Sequence, residues 1–279
     1  MKHEEGRFNG VGGLELYYQA WIPDNPKAVV QIIHGFGEHS GRYLNVVNKL
    51  VPLGYAIYAN DHRGHGKSGG IRTHVDKFDQ YVDDAKIFHD LIRAQHPNLP
   101  IFLLGHSMGS FIAPHFVKKF EHLLKGLILS GTGSFPSGII TNDILKRTRG
   151  LMRFISKFLP PLRISLPLAN RLSNDPEVSK AYTKDPLIIK TITLQLAMEM
   201  IYPIFAIKNF IGKFKLPLLI QGGSKDFIVF GIKLLESRLT MEDRTVRIYQ
   251  GLRHEIYNEL EKDREVVLDD LAKWLDQHL

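Results

Sequence analysis

At 279 residues the chain suits one large α/β domain or two small ones, with a sizeable core. Its 44% hydrophobic content is that of a soluble globule. No run approaches the roughly 18 apolar residues of a membrane span, and the start, Met1-Lys2-His3-Glu4-Glu5-Gly6, has no signal-peptide core, so a cytoplasmic protein is expected. The absence of cysteine excludes disulfides, cysteine–zinc sites and thiol catalysis, and the net charge of +7 raises nucleic-acid binding as a class to weigh.

Residues 14–22 and 28–34 read as strands separated by a Pro23-Asp24-Asn25-Pro26 turn. Residues 43–53 have helical spacing and stop near Gly54. A short apolar strand at 55–60 leads into a Gly-rich loop from Asp61 to Gly70. Residues 78–95 read as a helix with Val82, Ala85, Phe88, His89 and Ile92 along one stripe. Strands follow at 101–104 and 127–129, the second ending at Ser130-Gly131. Much later come a strand at 216–220 closed by Gly222-Gly223, a helix at 232–239, a strand at 244–249 and a final helix at 260–279. Short strands alternating with helices predict an α/β fold, with a mostly parallel central sheet covered by helices on both faces.

About eighty residues without strand character separate Gly131 from the strand at 216, far more than a βα loop needs. Residues 132–213 therefore read as an inserted, mostly helical cap, leaving 1–131 and 214–279 as the core. The insertion carries 12 Lys/Arg and 5 Asp/Glu, a net of +7, and the remaining 24 basic and 24 acidic residues (36 less 12, 29 less 5) cancel. A general nucleic-acid surface is not expected from so local an excess. It concentrates at 142–159, where Ile144, Leu145, Thr148, Leu151, Met152, Ile155 and Phe158 follow helical spacing and Lys146, Arg147, Arg149, Arg153 and Lys157 fill the other faces. Such a helix either docks on an anionic membrane or packs its apolar face over the site beneath with a solvated basic face outside.

Gly105-His106-Ser107-Met108-Gly109 carries the most chemistry. An apolar run, 100–104, leads in and a helical stretch, 110–120, follows, the strand–turn–helix setting of a nucleophile elbow. The turn is too tight for side chains at the flanking positions, so both are Gly. It holds a serine oxygen above the carboxyl end of a sheet, at a helix N-terminus, where the dipole and free N–H groups favour developing negative charge. The competing reading is a Gly-rich turn around a structural serine.

A serine hydroxyl needs a base within reach and a carboxylate to orient that base, in the order Ser, acid, His for this architecture. His115 lies about 12 Å along the helix from Ser107, at 1.5 Å per residue; His122 lies further, and His278 ends the last helix. His254, just after a strand and before that helix, is the candidate base. The acid should follow the strand after the insertion, as Asp226 does. Asp175 and Asp185 each precede Pro and read as turn or cap residues, and Asp243 lies at the wrong edge. The oxyanion hole needs two backbone donors, for which Met108 N–H and Phe36 N–H are the candidates. His34, His62 and His65 read as loop braces rather than metal ligands, since no carboxylate or thiol set accompanies them.

The run His34-Gly35-Phe36-Gly37-Glu38-His39-Ser40-Gly41-Arg42-Tyr43, the loop Asn60-Asp61-His62-Arg63-Gly64-His65-Gly66-Lys67-Ser68, the elbow, and the Asp226 and His254 segments resemble the monoacylglycerol lipase/lysophospholipase family of α/β-hydrolases. The resemblance spans nearly the whole chain; Asp175-Pro176-Glu177-Val178 and Lys184-Asp185-Pro186-Leu187 also resemble its cap segments. It implies an acyl-ester hydrolase, often of monoglycerides, with a mobile cap over a fatty-acyl tunnel and no metal or organic cofactor. Leu151, Ile155, Leu196, Met198 and Ile204 are candidate tunnel residues; packing within the cap is the competing role for each. Two departures stand out: Ser110 replaces a second Gly common in the family, and Phe36 is bulkier than the usual residue. The expected substrate is a lipid ester, with monoacylglycerol first and a lysophospholipid or a general carboxylic ester as rivals. A non-catalytic ligand-binding module of the same fold is the alternative from another class.

Overall fold

The structure, a computed structural model, describes residues 1–134, 150, 151, 154, 155 and 162–279. In chain order its first elements are β1 (Lys2–Asn9), β2 (Glu15–Ile22), β3 (Ala28–Ile33), α1 (Leu44–Leu50), β4 (Tyr55–Asn60), α2 (Asp79–Gln95), β5 (Ile101–His106), α3 (Met108–Phe120) and β6 (Gly126–Ser130). There follow β7 (Arg163–Ser165), α4 (Pro176–Lys184), β8 (Thr191–Thr193), α5 (Leu194–Ala206), β9 (Leu218–Gly223), α6 (Ile232–Glu236), β10 (Arg244–Tyr249) and α7 (Glu261–Gln277).

Eight strands form one sheet in the order β1-β2-β4-β3-β5-β6-β9-β10. From β4 to β10 all neighbours are parallel; β2 runs antiparallel to both β4 and β1. Every residue of β3, β4, β5, β6 and β9 is buried, as continuous apolar strands covered on both faces should be. Alternate side chains split between two cores. Leu103, Leu127 and Ile220 pack with Val82 and Phe116 from α2 and α3, while Leu104, Ile128 and Leu219 pack with Val46, Leu50, Leu271 and Trp274 from α1 and α7.

The chain steps from β3 outward to β4, then returns to place β5 on the other side of β3. The loops leaving β3 and β5 diverge there and open a crevice at the carboxyl ends of the strands, where open α/β sheets bind ligands. The oxyanion-hole candidate follows β3 and the elbow follows β5, so topology alone brings them together.

Three features differ from the sequence expectation. β1 was not anticipated: its charged sequence, KHEEGRFN, is mostly exposed, and its strand character comes from pairing with β2 across a short turn. The helix expected at 43–53 is a 3-10 turn (Ser40–Tyr43), α1 and a second 3-10 turn (Val51–Leu53) that starts around Pro52, whose ring cannot continue the α-helical hydrogen bonding. Residues 132–213, expected to be mostly helical, contain an antiparallel ribbon, β7 with β8, whose three-residue strands are too short to leave a periodic signal. The basic helix expected at 142–159 lies outside the described residues except for Gly150, Leu151, Phe154 and Ile155, which are helical.

Helix α3 lies so close to β3 that a Cβ on Gly109 would stand 1.9 Å from the Ile33 carbonyl oxygen and 2.8 Å from that of His34. Gly109→Ala is expected to lower unfolding free energy by about 1–3 kcal/mol, measured by urea denaturation. Gly150→Ala, at a helical position where an added Cβ meets nothing within 4 Å, should leave stability unchanged or raise it by up to about 1 kcal/mol. Equal effects at the two positions would contradict the packing.

Candidate active site

Ser107 joins β5 to α3 with φ 52° and ψ −118°, a backbone conformation that costs a non-glycine residue of order 1–3 kcal/mol and persists only where the surroundings impose it. A Cβ on Gly105 would lie 2.5 Å from the Gly109 carbonyl oxygen and 2.9 Å from Ala113 Cβ. Both flanking glycines are thus required by close approach. Ser107 N–H donates to the Ser130 carbonyl (2.9 Å). Ser110, at the position where the family often has Gly, donates its hydroxyl to the Ser107 carbonyl (2.7 Å), so this departure braces the elbow.

Asp226 and His254 are brought together from the loops after β9 and β10. Backbone contact makes this possible: a Cβ on Gly223 would meet the carbonyl oxygens of Leu252 and Arg253 at 2.2 and 2.3 Å. Lys225 N–H donates to the Leu252 carbonyl (2.9 Å), joining the two loops. His254 Nδ1–H donates to Asp226 Oδ2 at 2.7 Å. Asp226 Oδ1 accepts the N–H groups of Ile228 (2.8 Å) and Val229 (2.9 Å). Burial pushes the Asp226 carboxyl up, but the hydrogen bond and charge of His254 and those two N–H donors outweigh it and hold the acid below its ordinary value. A carboxylate fixed in this way selects the tautomer with Nε2 as acceptor. His254 and Ser107 border the same cavity.

The loop after β3 closes the site. Phe36 borders the cavity beside Ser107, its ring edge-on to His65 at 6.1 Å between centroids. Met108 is the first residue of α3, so its N–H has no partner within the helix. The three histidines beneath this loop are committed to backbone. His34 Nε2 accepts His62 N–H (2.9 Å), His62 Nε2–H donates to the His34 carbonyl (3.0 Å), and the Nδ1 atoms of His34 and His65 meet the carbonyls of Gly35 (2.7 Å) and Arg63 (3.0 Å). Among the described residues no group of three or more His, Asp or Glu is arranged to hold a metal ion. His115, excluded as the base by distance, instead meets the Pro203 carbonyl (3.1 Å). Asp175 caps α4 through Glu177 N–H, and Asp185 pairs with His39 (2.8 Å).

The cavity at Ser107 has a volume of about 300 Å³. Its walls are apolar at Leu166, Leu168, Leu172, Phe36 and Ile228, and polar at Glu38, Tyr182 and Glu255. The five candidate tunnel residues stand as follows. Leu196 is fully buried in the core with Met200 and Ile211, and Ile204 packs against that core. Met198 and Ile155 are half-buried, and Leu151 is exposed. Glu38, Arg42 and Glu255, passed over in the sequence, form a buried polar cluster at the cavity's edge. Glu38 and Arg42 stand in the His34–Tyr43 run that carries the family resemblance, but nothing in the sequence joined them to Glu255, more than 200 positions away.

A family model described as Serine aminopeptidase, S33 matches residues 24–261. The chain belongs to this family. It is 34% identical to the monoacylglycerol lipase of Mycolicibacterium smegmatis over 99% of this chain and 98% of that one. It is 30% identical to the human monoglyceride lipase over 95% and 88% of the two chains. Its fold matches that of the crystal structure of the Paleococcus ferrophilus monoacylglycerol lipase with a TM-score of 0.79 at 28% identity, covering 95% of this chain and 99% of that one. The fold is that of the α/β-hydrolases.

Asp226→Asn keeps the shape of the acid but removes its charge and permits the wrong imidazole tautomer; kcat is expected to fall about 10⁴-fold, measured by ester hydrolysis at neutral pH. A fall of less than tenfold would contradict the role of the 2.7 Å pair.

Burial holds His62 down at about 3, His65 at about 4 and His106 at about 3, against an ordinary 6.5. Above pH 6.5 these imidazoles are neutral in folded and unfolded chain alike. As pH falls, the unfolded chain takes up protons that the folded chain refuses. Each therefore removes about 1.4 kcal/mol of stability per pH unit between roughly 6.5 and its folded value. Urea unfolding at pH 7, 6 and 5 should show stability dropping steeply below pH 6; a flat profile would mean that these rings are hydrated.

Proposed function

We propose that this family member hydrolyses the acyl ester of monoacylglycerols to fatty acid and glycerol, through an acyl-enzyme on Ser107. The observation that carries the reading is the His254–Asp226 pair, 2.7 Å apart, bordering an apolar-walled cavity with a serine on a strained elbow. His254 takes the proton from Ser107, whose oxygen attacks the ester carbonyl. The N–H groups of Phe36 and Met108 hold the oxyanion, worth about 10²–10³ in rate per donor. The imidazolium, stabilised by Asp226, protonates the departing alcohol, and water activated by the same imidazole releases the fatty acid.

In this reading residues 132–213 are a cap over the core. The acyl chain lies along Phe36, Leu166, Leu168, Leu172 and Ile228, and extends towards Ile155 and Met198. The same segment supports peripheral contact with an anionic membrane: it holds the chain's entire +7 excess, and Leu151, Phe154, Leu162 and Ile164 are 49–62% exposed. Basic residues beside exposed apolar ones suit an acidic lipid surface. That charge also favours a second reading, a lysophospholipase drawn to a phosphate-bearing head group.

Turnover of a monoacylglycerol and a lysophospholipid with the same chain separates the two, and Ser107→Ala tests both. The expected result is monoacylglycerol hydrolysis at least tenfold faster, with Ser107→Ala reducing it by 10⁴-fold or more. Faster lysophospholipid cleavage would favour the second reading. Turnover of short acetyl or butyryl esters alone would leave a general carboxylesterase, and undiminished activity in Ser107→Ala would reject the nucleophile.

A further inference from the structure

Beside the cavity, three charged side chains are buried in contact. Glu38 and Glu255 are 4% and 5% exposed, and Arg42 lies between them with 9% of its side chain exposed. Arg42 donates from Nε to Glu38 (3.2 Å) and from one terminal nitrogen to both oxygens of Glu255 (2.7 and 2.6 Å). Each carboxylate also holds something else. Glu38 accepts Gly35 N–H at 2.6 Å and Tyr43 O–H at 2.8 Å. Glu255 accepts from the Asn258 side chain at 3.0 Å, and its own N–H donates to the Leu172 carbonyl in the insertion at 2.7 Å. The Tyr182 ring, also from the insertion, covers the guanidinium at 5.1 Å.

These contacts sit at two sensitive places. Gly35 immediately precedes Phe36, the donor whose direction sets one side of the oxyanion hole. Glu255 immediately follows His254. Taking Gly35 N–H into a carboxylate fixes the His34–Gly35 peptide plane, one residue ahead of the plane that carries Phe36 N–H, and gripping Glu255 fixes the residue after the base. Arg42 itself is not on the wall of the 300 Å³ cavity, where Glu38 and Glu255 are. It lines instead a much smaller adjoining cavity, about 10 Å³, together with Glu38, Tyr43, His106 and Glu255, where it touches both carboxylates.

We propose that Arg42 is a positioning residue that locks the oxyanion-hole loop to the His254 loop through Glu38 and Glu255, so that hole and base keep one mutual geometry. The inference rests on the catalytic reading above. An ångström of misplacement at such a site costs about 100-fold in rate, so the lock acts on kcat. Arg is required because its planar fork engages two carboxylates at once, whereas Lys is a point charge. Burial disfavours the guanidinium charge, but the two carboxylates outweigh that and raise its affinity for the proton, so Arg42 stays charged across the working pH range.

The test compares the parent, Arg42→Gln and Arg42→Lys on a monoacylglycerol and on the 4-nitrophenyl ester of the same acyl chain, with folding followed by thermal melting and Ser107→Ala as the zero. Arg42→Gln should lose about 100-fold in kcat equally on both esters, with KM within about threefold. Arg42→Lys should recover about tenfold of that loss. A loss confined to the glyceryl ester and carried by KM would make Arg42 a head-group contact and overturn the proposal. A lowered melting point with unchanged kcat would make it merely structural and also overturn it. If Arg42→Gln does not fold, Glu255→Gln, which keeps the shape and weakens one grip, must show the same kcat split in smaller degree; its absence would overturn the proposal. Activity surviving in Ser107→Ala would instead reject the catalytic reading, a separate failure.

Discussion

Backbone crowding at the turn between β5 and α3 is the constraint on which the site depends. Two glycines let the strand, the helix and the neighbouring β3 approach to distances that any Cβ would forbid. That approach forces Ser107 into its positive-φ conformation and points the start of α3 at the crevice where the sheet's strand order reverses. Relaxing the crowding would move the serine, the Met108 N–H and the contact with the loop after β3 together. The strain is thus local to one residue but held by the packing of three elements.

Electrostatics adds a second layer. The acid of the pair is stabilised as an anion by two backbone donors and an imidazole. The histidines packed under the loop after β3 are kept neutral by burial, and His34 and His62 tie that loop to the one after β4 through hydrogen bonds. One imidazole type thus does two jobs in neighbouring positions, decided by whether its partner is a carboxylate at the cavity or a peptide group within the core.

The sheet and the elbow were legible because they are local. Apolar runs bounded by Gly announce buried strands, as at β4, which matches the expected 55–60; the partly exposed edge strand β10 also matches the expected 244–249. The pairing of Asp226 with His254 was legible from chain order, since few acids and histidines follow the right strands. What stayed hidden is either conferred by partners or carried by neutral-looking loops. β1 is a strand only because β2 pairs with it, the ribbon of β7 and β8 is three residues deep, and the Glu38–Arg42–Glu255 contact joins residues more than 200 positions apart. The wall of the cavity illustrates the same limit: the apolar character of the 132–213 segment, read with the family resemblance, put forward Leu196, which the fold places in the core, while Leu166, Leu168 and Leu172 border the cavity from irregular segments.

The central claim is that one hydroxyl, that of Ser107, is made nucleophilic by the folded arrangement around it. The most direct measurement is to treat the native protein with a fluorophosphonate and locate the adduct by peptide mass spectrometry. The account predicts one modified residue, Ser107, and no modification of the urea-unfolded chain. No adduct in the native protein, or an adduct on another residue, would contradict it.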